Sequence, residues 1–119
     1  MSFKDLGVNA ALTKILHSSG IEKPFPIQKA TLPDAIAGKD ILGRGQTGSG
    51  KTLAFGLALM TRLAGRTAAS MRPLALVLSP TRELAMQISD VIAPLSRSVN
   101  LNSQVVAGGL SYSKQIQAL

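Results

Sequence analysis

The residues Gly45-Gln46-Thr47-Gly48-Ser49-Gly50-Lys51-Thr52 satisfy the pattern G-x-x-x-x-G-K-[ST] at every position. Glycines in such a string let backbone N–H groups turn inward around a phosphate, where side chains would clash. A helix beginning near Lys51 adds the partial positive charge of its N-terminus. Lys51 sets an ammonium against the β- and γ-phosphates, and Thr52 offers a hydroxyl to Mg²⁺. The chemistry implied is the grip of a nucleoside triphosphate by its phosphates. A coincidental glycine-rich turn is the bland alternative, and the strand and apolar helix expected on either side argue against it.

Those flanking elements must position the loop. Residues 40–44 read as a strand entering it, and a helix is expected over 51–64. Leu53, Phe55, Leu57, Leu59, Met60 and Leu63 make that helix apolar on nearly all sides, which suits an interior place against a sheet. The small and polar stretch 65–72 reads as a surface loop. Residues 74–78 form a continuous apolar run, the pattern of a strand buried on both faces. A helix follows from about Arg82, with Leu84, Ile88, Val91, Ile92 and Leu95 on one face and Pro94 expected to kink or end it. A third strand is expected at 103–107, before Gly108-Gly109, with another helix near Ser113.

Upstream, Asn9 reads as the N-cap of a helix Ala10–Ser18 closed by Gly20. Pro24 and Pro26 impose an extended approach, Pro26 can open a helical turn, and Pro33 is expected to start a second short helix ending at Gly38. Helices followed by repeated β-α units predict an α/β fold with a parallel sheet and right-handed crossovers.

Composition narrows the setting. The 119 residues are 45% hydrophobic, enough to oppose disorder, and aromatics are scarce, so the core is aliphatic. There is no cysteine and a single histidine, which excludes disulfides and thiolate metal sites. His17 reads as a polar residue near a helix end, and Met60, Met71 and Met86 as packing or surface residues. Thirteen Lys+Arg against six Asp+Glu give a net charge of +7, which favours polyanions or serves as a solubilising surface. The longest apolar stretch, 53–60, is far short of the roughly 20 residues of a membrane helix. The opening residues lack the order of a signal peptide, so a soluble, cytoplasmic protein is expected.

Residues 20–28, Gly-Ile-Glu-Lys-Pro-Phe-Pro-Ile-Gln, resemble the Q motif of DEAD-box RNA helicases, with Phe3 at the family's usual distance upstream. Gln46 to Thr52 resembles that family's motif I, with Gly45 in place of its usual leading alanine. Pro80-Thr81-Arg82-Glu83-Leu84-Ala85 is similar to motif Ia, and Gly108-Gly109 to the GG element. The motifs stand in the family's order across nearly the whole chain.

The resemblance implies a partial RecA-like P-loop domain, with a helical Q-motif flank over 1–38 and an incomplete first RecA-like domain over 39–119. It implies ATP and Mg²⁺ as ligands. The ATP site would comprise Phe3, Lys23, Gln28 and the run Gln46, Thr47, Gly48, Ser49, Gly50, Lys51 and Thr52. Gln28 would bond the adenine edge by its amide, one donor and one acceptor, and Phe3 would stack on the base. RNA backbone would meet Pro80, Thr81, Arg82, Gly108 and Gly109, without reading sequence.

Duller roles stand beside these. Gln28 reads equally as a polar residue in a first helical turn, Phe3 as packing for the N-terminal helix, and Arg82 as a solvated charge partnered by Glu83. No Asp-Glu-Ala-Asp or Ser-Ala-Thr string occurs in these residues. The family's second RecA-like domain is likewise missing from the stretch, which stops inside a predicted helix as a truncated chain would. The cradle is then expected without turnover, and strands left without neighbours are expected to make the chain unstable or oligomeric. A non-catalytic ATP- or RNA-binding module and another P-loop machine, such as a DNA helicase or transport ATPase, are the rival classes.

Overall fold

The computed structural model describes residues 1–46, 48, 50–67, 69 and 72–107. Asn9 caps the first helix as its position predicts. Its Oδ1 accepts the Ala11 N–H at 2.8 Å, and α1 runs Ala10–Ser18. Leu12 and Leu16, one turn apart, are buried. Ahead of α1 a 3-10 turn at Lys4–Leu6 buries Phe3 and Leu6, with Val8 following them into the core.

The second helix, α2, spans Pro26–Ile36 without a break. Pro33 therefore lies inside it and does not start a helix of its own. The helix is already nucleated at Pro26, so Pro33 removes a single rung, and its own carbonyl accepts the Ala37 N–H at 3.1 Å. The third helix, α3, is Lys51–Leu63, and the fourth, α4, is Arg82–Ser98. Pro94 does not end α4. Ile92 and Leu95 are buried on either side of it, and that packing holds the helix through a residue which otherwise opposes it by about 3 kcal/mol.

The core lies among these helices. Leu57, Ala58 and Met60 of α3 pack with Leu32 of α2, Leu12 and Leu16 of α1, and Ile92 and Leu95 of α4. Gly56 sets the spacing of α3 and α4, since a Cβ there would stand 3.4 Å from Leu95 Cδ1 and 3.5 Å from Ile92 Cγ1. Asn9 N–H donates to Thr61 Oγ1 at 3.2 Å, tying the start of α1 to α3. The N-terminal flank and the later helices thus share one core. His17 is exposed at the end of α1, its Nδ1 3.7 Å from the Glu22 carboxylate.

The expected strands do not form. Among the described residues the β-type pairing is an isolated antiparallel bridge between Ala69 and Arg72. Residues 40–44 and 74–78 join no ladder, and 103–107 carries no strand. The run expected to be buried on both faces is open instead: Leu76 is 78% exposed and Leu78 83%, and Leu42 reaches 92%. A strand exists only by pairing, and these segments meet no neighbouring strand here. Accordingly α3 is buried against helices, with Phe55 partly exposed, not against a sheet. The GG element and the helix expected near Ser113 lie outside the described residues. No helix among the described residues is long and apolar enough to cross a membrane.

A candidate nucleotide site at the start of the third helix

Gly50 is the N-cap of α3, with φ +84°, a left-handed conformation that disfavours other residues. Space reinforces the requirement. A Cβ at Gly50 would stand 2.5 Å from Gln28 Nε2 and 2.9 Å from Phe25 Cδ2. The Gly50 carbonyl accepts two hydrogen bonds, from the Ala54 N–H at 3.0 Å and from Gln28 Nε2 at 3.2 Å. The loop is thereby fastened both to its own helix and to α2.

Gln28 is 2% exposed. It is the third residue of α2, and its Oε1 reaches back to accept the Phe25 N–H at 2.8 Å. One amide thus closes the first turn of α2 and holds the carbonyl that opens α3. The amide keeps one further N–H and one further lone pair.

Beside this latch lies an open cleft of about 610 Å³. Phe25, Pro26, Ile27 and Ala30 line it together with Arg44, Gly45, Gln46 and Gly48. Lys51 is exposed at the first position of α3, Thr52 is half-buried at the second, and Lys23 is exposed ahead of α2. Thr47 and Ser49 lie outside the described residues. Phe3 is 2% exposed and packs within the core. Among the described residues no group of three His, Cys, Asp or Glu side chains could hold a metal ion. The Thr52 hydroxyl fits Mg²⁺ only in company with phosphate oxygens, the usual habit of that ion.

A second helix start is built from motif Ia. Thr81 is the N-cap of α4, its Oγ1 accepting the Leu84 N–H at 3.1 Å, while Ser79 Oγ donates to the Thr81 carbonyl at 3.2 Å. Arg82 and Pro80 are exposed beside it. The capping role of Thr81 was open to sequence reasoning, since a threonine before a predicted helix is a start signal.

A glycine-shaped loop opening a buried helix, with a largely apolar cleft alongside, has the form of a phosphate-binding helix start. A family model for DEAD/DEAH box helicases matches residues 25–119, and the chain belongs to that family. The chain is 40% identical over 121 aligned residues to ATP-dependent RNA helicase RhlB of Sodalis glossinidius (strain morsitans), a match covering 98% of the chain and 29% of that protein. It therefore spans less than a third of the relative's length.

Solved structures agree. The RNA-helicase Prp28 from Chaetomium thermophilum bound to ADP is 34% identical with a TM-score of 0.85, over 92% of this chain and 27% of that one. The S. cerevisiae Dbp5 bound to RNA and ADP BeF3 is 33% identical with a TM-score of 0.73, over 82% of this chain and 25% of that one. The fold is that of RecA-like DEAD-box helicase domains, of which the described residues display the helices.

Proposed function

We propose that this chain is the ATP-gripping portion of an ATP-dependent RNA helicase, with residues 39–119 forming part of its first RecA-like domain and 1–38 the Q-motif flank. The observation that carries the reading is the Gln28–Gly50 bond, which sets the Q-motif flank against the phosphate loop beside Lys51. Gln46, Thr47, Gly48, Ser49 and Gly50 would turn backbone amides to the phosphates, and Lys51 would neutralise their charge. Lys23 would add positive charge near the cleft. The remaining N–H and lone pair of Gln28 would meet the adenine edge. Thr52 would complete the shell of a nucleotide-borne Mg²⁺, which supplies charge neutralisation at the phosphates when bound.

RNA phosphates would be received at the start of α4, by Arg82 and by the Thr81 hydroxyl, with Pro80 shaping the approach and Gly108 and Gly109 adding backbone donors. Hydrolysis would depend on carboxylates and on a second RecA-like domain that these residues do not include. A cytoplasmic site of action accords with this reading.

Titration of the protein with ATP tests the grip. Lys51→Ala should weaken binding by about 10- to 100-fold, the worth of a charge-assisted contact. Undiminished affinity would remove the basis of the reading.

A further inference from the structure

We infer that Arg44 is a second cationic contact for the phosphates of the bound nucleotide, an assignment that rests on the nucleotide reading above. Arg44 is the only charged residue in the cleft lining. It is exposed, and among the described residues no carboxylate pairs with it, the ion pairs there being His17 with Glu22 and Lys39 with Asp34. Its guanidinium makes no hydrogen bond there either. An arginine head has five donors and no acceptor, so a fork left open in a cleft is a place for an anion.

The course of the chain puts that charge in the cleft. Gly43 lies against α2, where a Cβ would stand 3.7 Å from Thr31 Cγ2 and 3.9 Å from Ile27 Cδ1. Chain held there brings the next residue beside Pro26, Ile27 and Ala30, which line the cleft with it. The glycine-rich string begins one residue later, and Lys51 opens α3 at its far end. Arg44 and Lys51 therefore bracket the loop, one cation before it and one after. A polyphosphate lying along the loop carries more negative charge than one ammonium balances. The largely apolar lining keeps away some of the water that would screen the attraction, and a guanidinium can meet two phosphate oxygens at once. Arg44 thus raises affinity according to the phosphate tail and is indifferent to the base.

Calorimetric titration with ATP and with inorganic tripolyphosphate, at several salt concentrations, tests this. Arg44→Gln should weaken both by about 5- to 30-fold, between the worth of an exposed ion pair and that of a hydrogen bond to a charged group. The salt dependence of binding should become shallower in Arg44→Gln, and Arg44→Lys should restore the slope and part of the affinity. The melting temperature of the free protein should stay at the parent's value in both variants, since the side chain makes no contact to lose. Equal losses in Arg44→Gln and Arg44→Lys with an unchanged salt slope would assign the residue to loop support and overturn the inference. Unchanged affinity for both ligands in Arg44→Gln, alongside a loss in Lys51→Ala, would overturn it too and leave the nucleotide reading standing. A loss of RNA binding alone in Arg44→Gln would move the residue to an RNA contact, which likewise overturns it. If Lys51→Ala weakens neither ligand, the nucleotide reading itself falls and takes the inference with it.

Discussion

The amide of Gln28 bonds the carbonyl of Gly50 across 22 residues of chain, at 3.2 Å, while its other end closes the first turn of α2. The carbonyl it holds is the one that begins α3 through Ala54. The direction in which the loop's amides face is consequently set from the Q-motif flank as well as from the helix. Gln28 is 2% exposed, so its amide meets little competition from water, which raises the worth of each bond it makes.

Replacing Gln28 by alanine should lower stability by about 1–3 kcal/mol, because the Phe25 N–H loses its buried acceptor and the Gly50 carbonyl loses a donor. Tripolyphosphate affinity should fall together with ATP affinity, since the loop is what moves. Gln28→Glu should be worse at neutral pH, with a carboxylate facing the Gly50 carbonyl. Burial raises a carboxyl's pKa, and the protonated form can donate. The melting temperature of Gln28→Glu, relative to the parent, should therefore climb as pH falls. A difference flat across pH would refute the carbonyl contact.

Gly50→Ala and Gly48→Ala form a matched pair. Both glycines have positive φ, +84° and +83°, so each substitution carries a backbone cost of roughly 1–2 kcal/mol. Only at Gly50 does the new Cβ meet neighbours, at 2.5 Å from Gln28 Nε2, whereas Gly48 has nothing within 4 Å. Denaturant melts should show Gly50→Ala as clearly the more destabilised of the two. Equal midpoints would mean that Gln28 yields without consequence.

At α4 stability and binding should separate. Thr81→Ala removes the cap on the Leu84 N–H and should cost about 1 kcal/mol, with Thr81→Ser close to the parent. Arg82→Ala touches no cap and should leave the melt unchanged. It should weaken RNA binding uniformly across sequences and reduce the salt dependence by about one counterion. Filter binding at several salt concentrations measures this, and an unaltered slope would remove Arg82 from the phosphate contacts.

How far these features could be read in advance depends on how local their causes are. Asn9, Gly20 and Gly50 mark helix ends through bonds made within a turn, and each boundary falls where the residue type favours it. Pro33 and Pro94 mislead because a rule about single residues was outweighed by helix nucleation upstream in one case and by Ile92 and Leu95 in the other. Residues 74–78 have the composition of a buried strand, but composition cannot supply a neighbour to pair with. Of the candidate site, the start of α3 at Lys51 was legible from the glycine-rich string ahead of it. The Gln28–Gly50 bond was not, since its partners are remote in sequence.

The bare leucines at 42, 76 and 78 alter what unfolding means for this chain. Hydrocarbon that water already wets in the native state releases no new hydration when the chain opens. The heat-capacity increment and the denaturant sensitivity should both be smaller than chain length implies, and the stability curve correspondingly shallow.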